Sequence, residues 1–253
     1  SIFLVMDSRQ KLKILLLQIR DDQDVRVEEH ESFANYSNLD TNQIDILNVF
    51  DTPAFKVDVV KDYDALFVGG ASEANVLQPE IYPFIQDSIN LIEYCAQQKI
   101  PTFASCFGFQ LAVLAFGGTV LDKDRDYELG TVNITLTSSA GSDPVFEGID
   151  NEFFAVSVHR QYSSDVPSCL EVLAYTDQCI HSFKHKEAPL WAFQFHPEVD
   201  RGTLVKRLTI FSEKYTENKA HLKKVLNSAA ETPESNYLVQ NFVNNVLLQR
   251  NKP

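Results

Sequence analysis

Basic charge, cysteine and glycine are all scarce in this chain of 253 residues. Lysine and arginine number 22 against 35 aspartates and glutamates, a net charge of −13. Phosphate backbones are bound by clustered Lys and Arg, so the deficit argues against a nucleic-acid partner. The four cysteines, Cys95, Cys106, Cys169 and Cys179, are widely spaced, with no CxxC and no Cys/His ligand cluster along the sequence. That argues against a zinc site and against a disulfide framework, and we expect no metal and no cofactor. A reducing cytoplasm suits such a chain. No apolar run is long enough for a membrane span, and Ile2–Phe3–Leu4–Val5–Met6 is too short for a signal sequence. Met6 is the only methionine; we expect natural translation to begin there, with Ser1–Val5 as an upstream extension. There are nine glycines, four of them in the pairs Gly69–Gly70 and Gly117–Gly118, and none after Gly202. That last absence excludes a Gly-rich phosphate loop in the C-terminal part.

What is present is enough apolar material for a sizeable core: 44% hydrophobic and 11% aromatic residues. Lys13–Gln18 is a continuous apolar run, the pattern of a strand buried on both faces. Arg20–Glu31 is charged and reads as a loop opening toward a helix near Ser32–Ser37. Ile44–Phe50, Asp64–Val68 and Pro101–Ser105 read as further strands. Pro79–Gln98 carries Ile81, Phe84, Ile85, Ile89, Ile92 and Tyr94 at helical spacing. Strand and helix in alternation predict a mostly parallel sheet covered on both faces. From Gly130 to Phe195, short apolar runs alternate with Asp, Ser, Gly and Pro, which predicts a smaller antiparallel portion. Thr203–Tyr215 and Asn236–Leu248 read as helices separated by a polar segment. We expect a domain over residues 11–212 and a C-terminal helical extension over residues 213–253 packed on it.

The most telling stretch is Pro101–Thr102–Phe103–Ala104–Ser105–Cys106–Phe107–Gly108–Phe109–Gln110. An apolar run stops on a cysteine, and an amphipathic run follows at once. This is the pattern of a strand, a sharp turn holding a nucleophile, and a helix. Unpaired N–H groups and the dipole at a helix N-terminus favour thiolate over thiol. Downstream, Leu190–Phe195 reads as a buried strand that delivers His196, with Glu198 two residues later. Residues i and i+2 of an extended segment point the same way, so Glu198 can orient the ring of His196. Cys106, His196 and Glu198 thus supply a nucleophile, a base and a group that orients the base. Gln110, four residues past Cys106, shares its helix face. Gly69–Gly70 reads as a site where backbone approaches a ligand closely, and Gly117–Gly118 as the stop of the helix after Cys106. His30, His181, His185 and His221 lie in polar contexts and carry no signal of their own.

These residues resemble the class I (triad) glutamine amidotransferases. Cys106–Phe107–Gly108–Phe109–Gln110 is similar to that family's nucleophile motif, Phe195–His196–Pro197–Glu198 to its second signature, and Asp64–Val68 with Gly69–Gly70 to the strand that ends at its oxyanion hole. The resemblance runs from about Lys13 to about Arg207, is nearest the GMP synthase type, and implies a flavodoxin-like fold. It also implies glutamine side-chain amide hydrolysis through a γ-glutamyl thioester on Cys106, with backbone N–H groups of Gly70 and Phe107 as the oxyanion hole. Gln110 would meet the substrate's amino-acid end. Tyr127–Glu128–Leu129–Gly130 and Val156–Ser157–Val158–His159 match more loosely, and make Tyr127, Glu128, Ser157 and His159 candidates for the pocket wall beside Gly69. Three positions depart from the pattern: Ala104 replaces a usual glycine, Ser105 a branched apolar residue, and Ala71 a common proline. None removes a reacting atom.

A synthetase that would use the ammonia has no place in this chain, so the acceptor is a separate protein or absent. Two other readings stand beside a glutaminase: a γ-glutamyl peptidase or hydrolase acting on a conjugate with the same triad, and a regulatory or binding module in which the triad is idle.

Overall fold

The structure, a computed structural model, describes residues 2–250; Ser1 and the last three residues of the expected C-terminal extension lie outside the described residues. A short helix α1 (Ile2–Gln10) leads into β1 (Ile14–Ile19), every residue of which is buried. Helix α2 (Gln23–Ser37) follows, then β2 (Ile44–Asn48), β3 (Ala65–Ala71), α3 (Phe84–Gln97), β4 (Thr102–Ser105) and α4 (Phe107–Ala115). The second half holds β5 (Leu129–Leu136), β6 (Glu152–Val158), β7 (Leu170–Tyr175), β8 (Ile180–His185) and β9 (Leu190–Phe193). Helices α5 (Arg201–Ile210), α6 (Ser212–Tyr215), α7 (Lys219–Ser228) and α8 (Pro233–Phe242) close the chain, followed by a π-helical turn at Val243–Leu247 and a last turn α9 (Leu248–Arg250).

Among the described residues nine strands form one sheet in the order β2-β1-β3-β4-β9-β8-β7-β5-β6. The first five are parallel, and β8, β7, β5 and β6 run antiparallel. The expected parallel sheet with a smaller antiparallel part is therefore one continuous layer. Strand β9 joins the two parts, parallel to β4 on one edge and antiparallel to β8 on the other. One face carries Phe33, Phe67, Phe103, Phe193 and Phe242, all fully buried and in mutual ring contact. Leu238, Val239, Phe242 and Val243 of the C-terminal helices lie in this same apolar cluster. The other face packs on α3 and α4. Helix α4 is sandwiched there, which is why its residues are apolar nearly all round. Among the described residues no helix is long and apolar enough to cross a membrane.

Two expectations are corrected. Arg20–Glu31 is not a loop: α2 begins at Gln23, capped by Asp22, whose carboxylate accepts from the N–H groups of Asp24 and Val25. Its buried stripe runs Val25, Glu29, Phe33 and Ser37. The carboxylate in second place breaks the apolar period, so the helix is invisible to a hydrophobicity reading. The polar segment after Tyr215 is also helical, as α7, which lays Val225 against the edge formed by Val156, Leu204 and Leu208. Gly117, at φ +83°, does end α4, with Gly118 N–H donating to Val113 O at 2.8 Å.

Candidate active site

Cys106 stands between β4 and α4 with φ 52° and ψ −97°. A non-glycine residue at positive φ is uncommon and costs about 1–3 kcal/mol. The strain lifts the side chain out of the strand and aims it past the start of α4. Neighbouring backbone must come close, and Gly108 allows it: a Cβ there would sit 2.9 Å from Val68. Phe107 is the first residue of α4, so its N–H has no partner within the helix.

His196 lies just past β9. Its Nδ1–H donates to Glu198 Oε1 at 2.7 Å, and its ring lines the same cavity as Cys106. Imidazole and carboxylate thus form a bonded pair that shares a cavity with the sulfur. Cys106, His196 and Glu198 are all buried, Glu198 completely. Burial alone would depress the His196 pKa, but the facing charges of Cys106 and Glu198 outweigh it and raise the value to about 9. Burial likewise works against the Glu198 carboxylate, yet the His196 charge and its hydrogen bonds hold its pKa below the ordinary range.

Three supports were not legible as functional residues. Ser105 Oγ donates to Glu198 Oε2 at 2.7 Å, so both carboxylate oxygens are occupied and the group cannot rotate away. The departure at Ser105 is thus a second handle on Glu198. Ser105→Ala is expected to lower kcat about three- to tenfold and Ser105→Thr to recover part of the loss, with KM little changed, because the lost bond to a charged acceptor is worth roughly 1–2 kcal/mol before Glu198 relaxes; steady-state kinetics on the folded variants checks it. Gln194 is fully buried; its Nε2 points to Cys106 Sγ at 3.7 Å, and its Oε1 accepts from Gln110 Nε2 at 3.3 Å. Asn236 of α8 donates through Nδ2 to the carbonyls of Pro197 and Val199, at 2.8 and 2.9 Å. The C-terminal helix thereby fastens the loop that carries His196 and Glu198.

Arg20 was also unsignalled. It is buried at the end of β1, ion-paired with Glu29 at 2.8 Å, and donates to Ser72 Oγ. This pair explains the first glycine of the Gly69–Gly70 pair: a Cβ on Gly69 would meet the Glu29 carboxylate at 2.6 Å. Gly69 makes room for a structural ion pair, not for a ligand, which corrects the expectation for it. Gly70 does face the site, since a Cβ there would lie 2.7 Å from His196 Cε1 and 2.9 Å from Arg20 Nη2.

A cavity of about 380 Å³ opens over Cys106 and His196 and is also lined by Phe107, Gln110, Tyr127 and His159 among the expected residues. Arg20, Arg160 and Arg207 line it as well. Gly69, Gly70, Glu128 and Ser157 do not line it, although Gly70 abuts His196. Ser157 is fully buried on β6, and Glu128 sits behind His159. His159 is not alone there. Glu128, His159, Cys179 and His181 converge in one buried cluster. This overturns the reading that the chain holds no Cys/His ligand cluster and that His181 carries no signal: the four come from the ends of β5, β6 and β8, of which β8 is no neighbour of the other two in the sheet order, and they meet only in the folded chain.

A family model described as glutamine amidotransferase class-I matches residues 35–212. Among curated proteins, a subunit of the glutamine-hydrolyzing GMP synthase from Methanococcus vannielii is 34% identical over 127 residues, which is 49% of this chain and 65% of that protein. The corresponding subunit from Methanocaldococcus jannaschii is 34% identical over 119 residues, 46% of this chain and 61% of that one. The matched stretch spans less than two thirds of either relative. A crystal structure of a glutamine amidotransferase from Thermotoga maritima superposes with a TM-score of 0.75 at 18% identity, covering 93% of this chain and 98% of that one. One from Methylobacillus flagellatus gives 0.69 at 16% identity, covering 92% and 95%. These two likenesses are of fold.

Proposed function

The chain belongs to the class-I glutamine amidotransferases, and from that premise we propose that it hydrolyses the side-chain amide of glutamine through Cys106, His196 and Glu198. The observation that carries the reading is the strained Cys106 in one cavity with His196, whose ring is hydrogen-bonded to the buried Glu198. The Cys106 sulfur attacks the amide carbon, and the carbonyl π electrons move onto oxygen. That oxyanion is held by the N–H groups of Phe107 and Gly70, each worth about 3 kcal/mol in the transition state. His196, charged, protonates the departing nitrogen, and ammonia leaves behind a γ-glutamyl thioester on Cys106. Water, deprotonated by His196, attacks the thioester; glutamate leaves and the thiol is restored. Gln110 and Tyr127 would hold the amino-acid end of the substrate. Gln194 keeps the sulfur in place.

The ammonia would pass to a separate synthetase, as expected of a relative of these GMP synthase subunits. Four free cysteines suit action in the cytoplasm. One observation favours a second reading, hydrolysis of a γ-glutamyl conjugate. The cavity lies within the roughly 300–1,000 Å³ range of ligand pockets, and while Arg20 and Arg207 on its wall pair with Glu29 and Glu28, Arg160 beside Tyr127 suits an anionic group beyond the γ-glutamyl unit.

The test is glutamate release from glutamine and from a panel of γ-glutamyl peptides, by the wild type and by Cys106→Ala. Release from glutamine supports the first reading, and release from conjugates alone supports the second. No release from any of them would leave the triad idle and end both. The pH profile adds a check. Raising the His196 pKa keeps the ring charged up to about 9, so the first-turnover ammonia burst should persist to that pH and fall above it. For the same reason the ring's contribution to folding stability is fully present below its ordinary value near 6.5 and is lost as pH rises through about 9.

A further inference from the structure

Four side chains that the proposed chemistry does not use meet behind one wall of the cavity. Glu128 precedes β5, His159 follows β6, and Cys179 and His181 stand at the start of β8. All four are buried, and their donor atoms lie within 4.8 Å of one another. Glu128 Oε1 is 2.7 Å from His159 Nε2, 2.7 Å from His181 Nε2 and 3.4 Å from Cys179 Sγ. The sulfur is 4.0 Å from His159 Nε2.

Hydrogen bonding leaves this cluster poorly balanced. A carbonyl only accepts, so the 2.8 Å contact of His159 Nδ1 with Gln161 O places a proton on Nδ1. In the neutral ring Nε2 then presents a lone pair to a carboxylate oxygen. Three groups crowd that single oxygen, and His181 Nδ1 is buried with no hydrogen-bond partner. A cation among the four would take up the lone pair of His159 Nε2 and relieve the crowding at the Glu128 oxygen, while leaving His181 Nδ1 as it is. Ligating imidazoles commonly donate their other N–H to a backbone carbonyl, as His159 does. One thiolate, one carboxylate and two neutral imidazoles offset a divalent charge, so a buried centre would be net neutral. Sulfur, nitrogen and oxygen donors in this mixture suit four-coordinate zinc. Bonds of about 2.0–2.3 Å at tetrahedral angles separate ligand atoms by roughly 3–4 Å, and the observed spacings bracket that range. With all four positions filled by protein, such a site is structural.

We propose that Glu128, His159, Cys179 and His181 bind one zinc-type divalent cation, the Cys179 thiol releasing its proton to solvent, and that the cation braces the Val158–Gln161 wall of the catalytic cavity. Val158 O lies 3.7 Å from Cys106 Sγ. Gln161 O takes the His159 Nδ1–H and also the Gln110 Nε2 amide, at 3.1 Å. Holding His159 therefore holds the backbone against which the nucleophile and Gln110 rest. A cleft lined by Tyr127, Tyr162 and Gln178 reaches Glu128, His159 and Cys179.

The experiment uses the full chain, stripped with a chelator and titrated with Zn²⁺ against a chromophoric competitor, and in parallel with Co²⁺. The expected result is one Zn²⁺ per chain and a Co²⁺ spectrum with tetrahedral d–d bands and a thiolate charge-transfer band, both retained in Cys106→Ala. Cys179→Ser should lose the charge-transfer band and bind Zn²⁺ at least about tenfold more weakly, and His181→Ala should show a similar loss of affinity. Absence of stoichiometric Zn²⁺ in the wild type overturns the proposal. So does a Co²⁺ complex without the thiolate band, or loss of binding in Cys106→Ala, which would place the metal on the catalytic thiol. These decisive readouts use the wild type and Cys106→Ala, so misfolding of a ligand variant cannot shelter the proposal.

Discussion

Replacing Cys106 with alanine is expected to lower glutamate release by at least about 10⁴-fold, because the proposed attacking atom is removed and the proposed oxyanion donors alone stabilise nothing covalent. A loss of less than tenfold would show that another group performs the attack. The same position makes a second, opposite prediction. Alanine keeps the Cβ that is strained at φ 52° and ψ −97°, whereas glycine tolerates positive φ. Cys106→Gly should therefore be more stable than Cys106→Ala by about 1–2 kcal/mol, after the entropy lost by glycine is subtracted from the relieved strain. Denaturant midpoints of the two inactive variants measure the difference. Equal midpoints would mean that the turn stores no strain, and that the geometry of the nucleophile has another origin.

The adjacent glycines separate chemistry from stability. In Gly70→Ala the new methyl would lie 2.7 Å from His196 Cε1, so the ring must move. A displacement near 1 Å can cost about 10²-fold, and disturbing a donor of the oxyanion hole costs about 10²–10³-fold. We expect kcat to fall by at least about 10²-fold with a modest change in unfolding midpoint. In Gly69→Ala the methyl would strike the Glu29 carboxylate at 2.6 Å and pry it from Arg20. Breaking a buried ion pair on one side costs about 3–5 kcal/mol, so this variant should lose stability first. Paired kinetics and denaturant melts decide it. If both variants behaved alike, the separate assignments of the two glycines would fail.

How far the molecule can be read from its residues differs from element to element. The strand that ends at Cys106 and the helix after it are legible, because a buried apolar run, a tight turn and an amphipathic run are local patterns. The strand before His196 is legible for the same reason. Helix α2 is not, since Glu29 occupies a core position and only Arg20, on another element, makes that burial tolerable. Ser105 reads as a mere departure until Glu198 is seen beside it. Cys179 and His181 read as background until the folded chain brings them to Glu128 and His159.

By itself the sequence determined the class of fold, the family, and the residue types that end each strand. Those follow from periodicity and turn chemistry, which act over a few neighbours. Only the tertiary structure decided which strand ends meet. The sheet order puts β9 beside β4, which brings His196 and Cys106 to one cavity, and the folding of the remaining strands gathers Glu128, His159, Cys179 and His181 behind that pair. Strand pairing is a long-range choice made by packing the whole sheet between its helices, and no short stretch of residues encodes it.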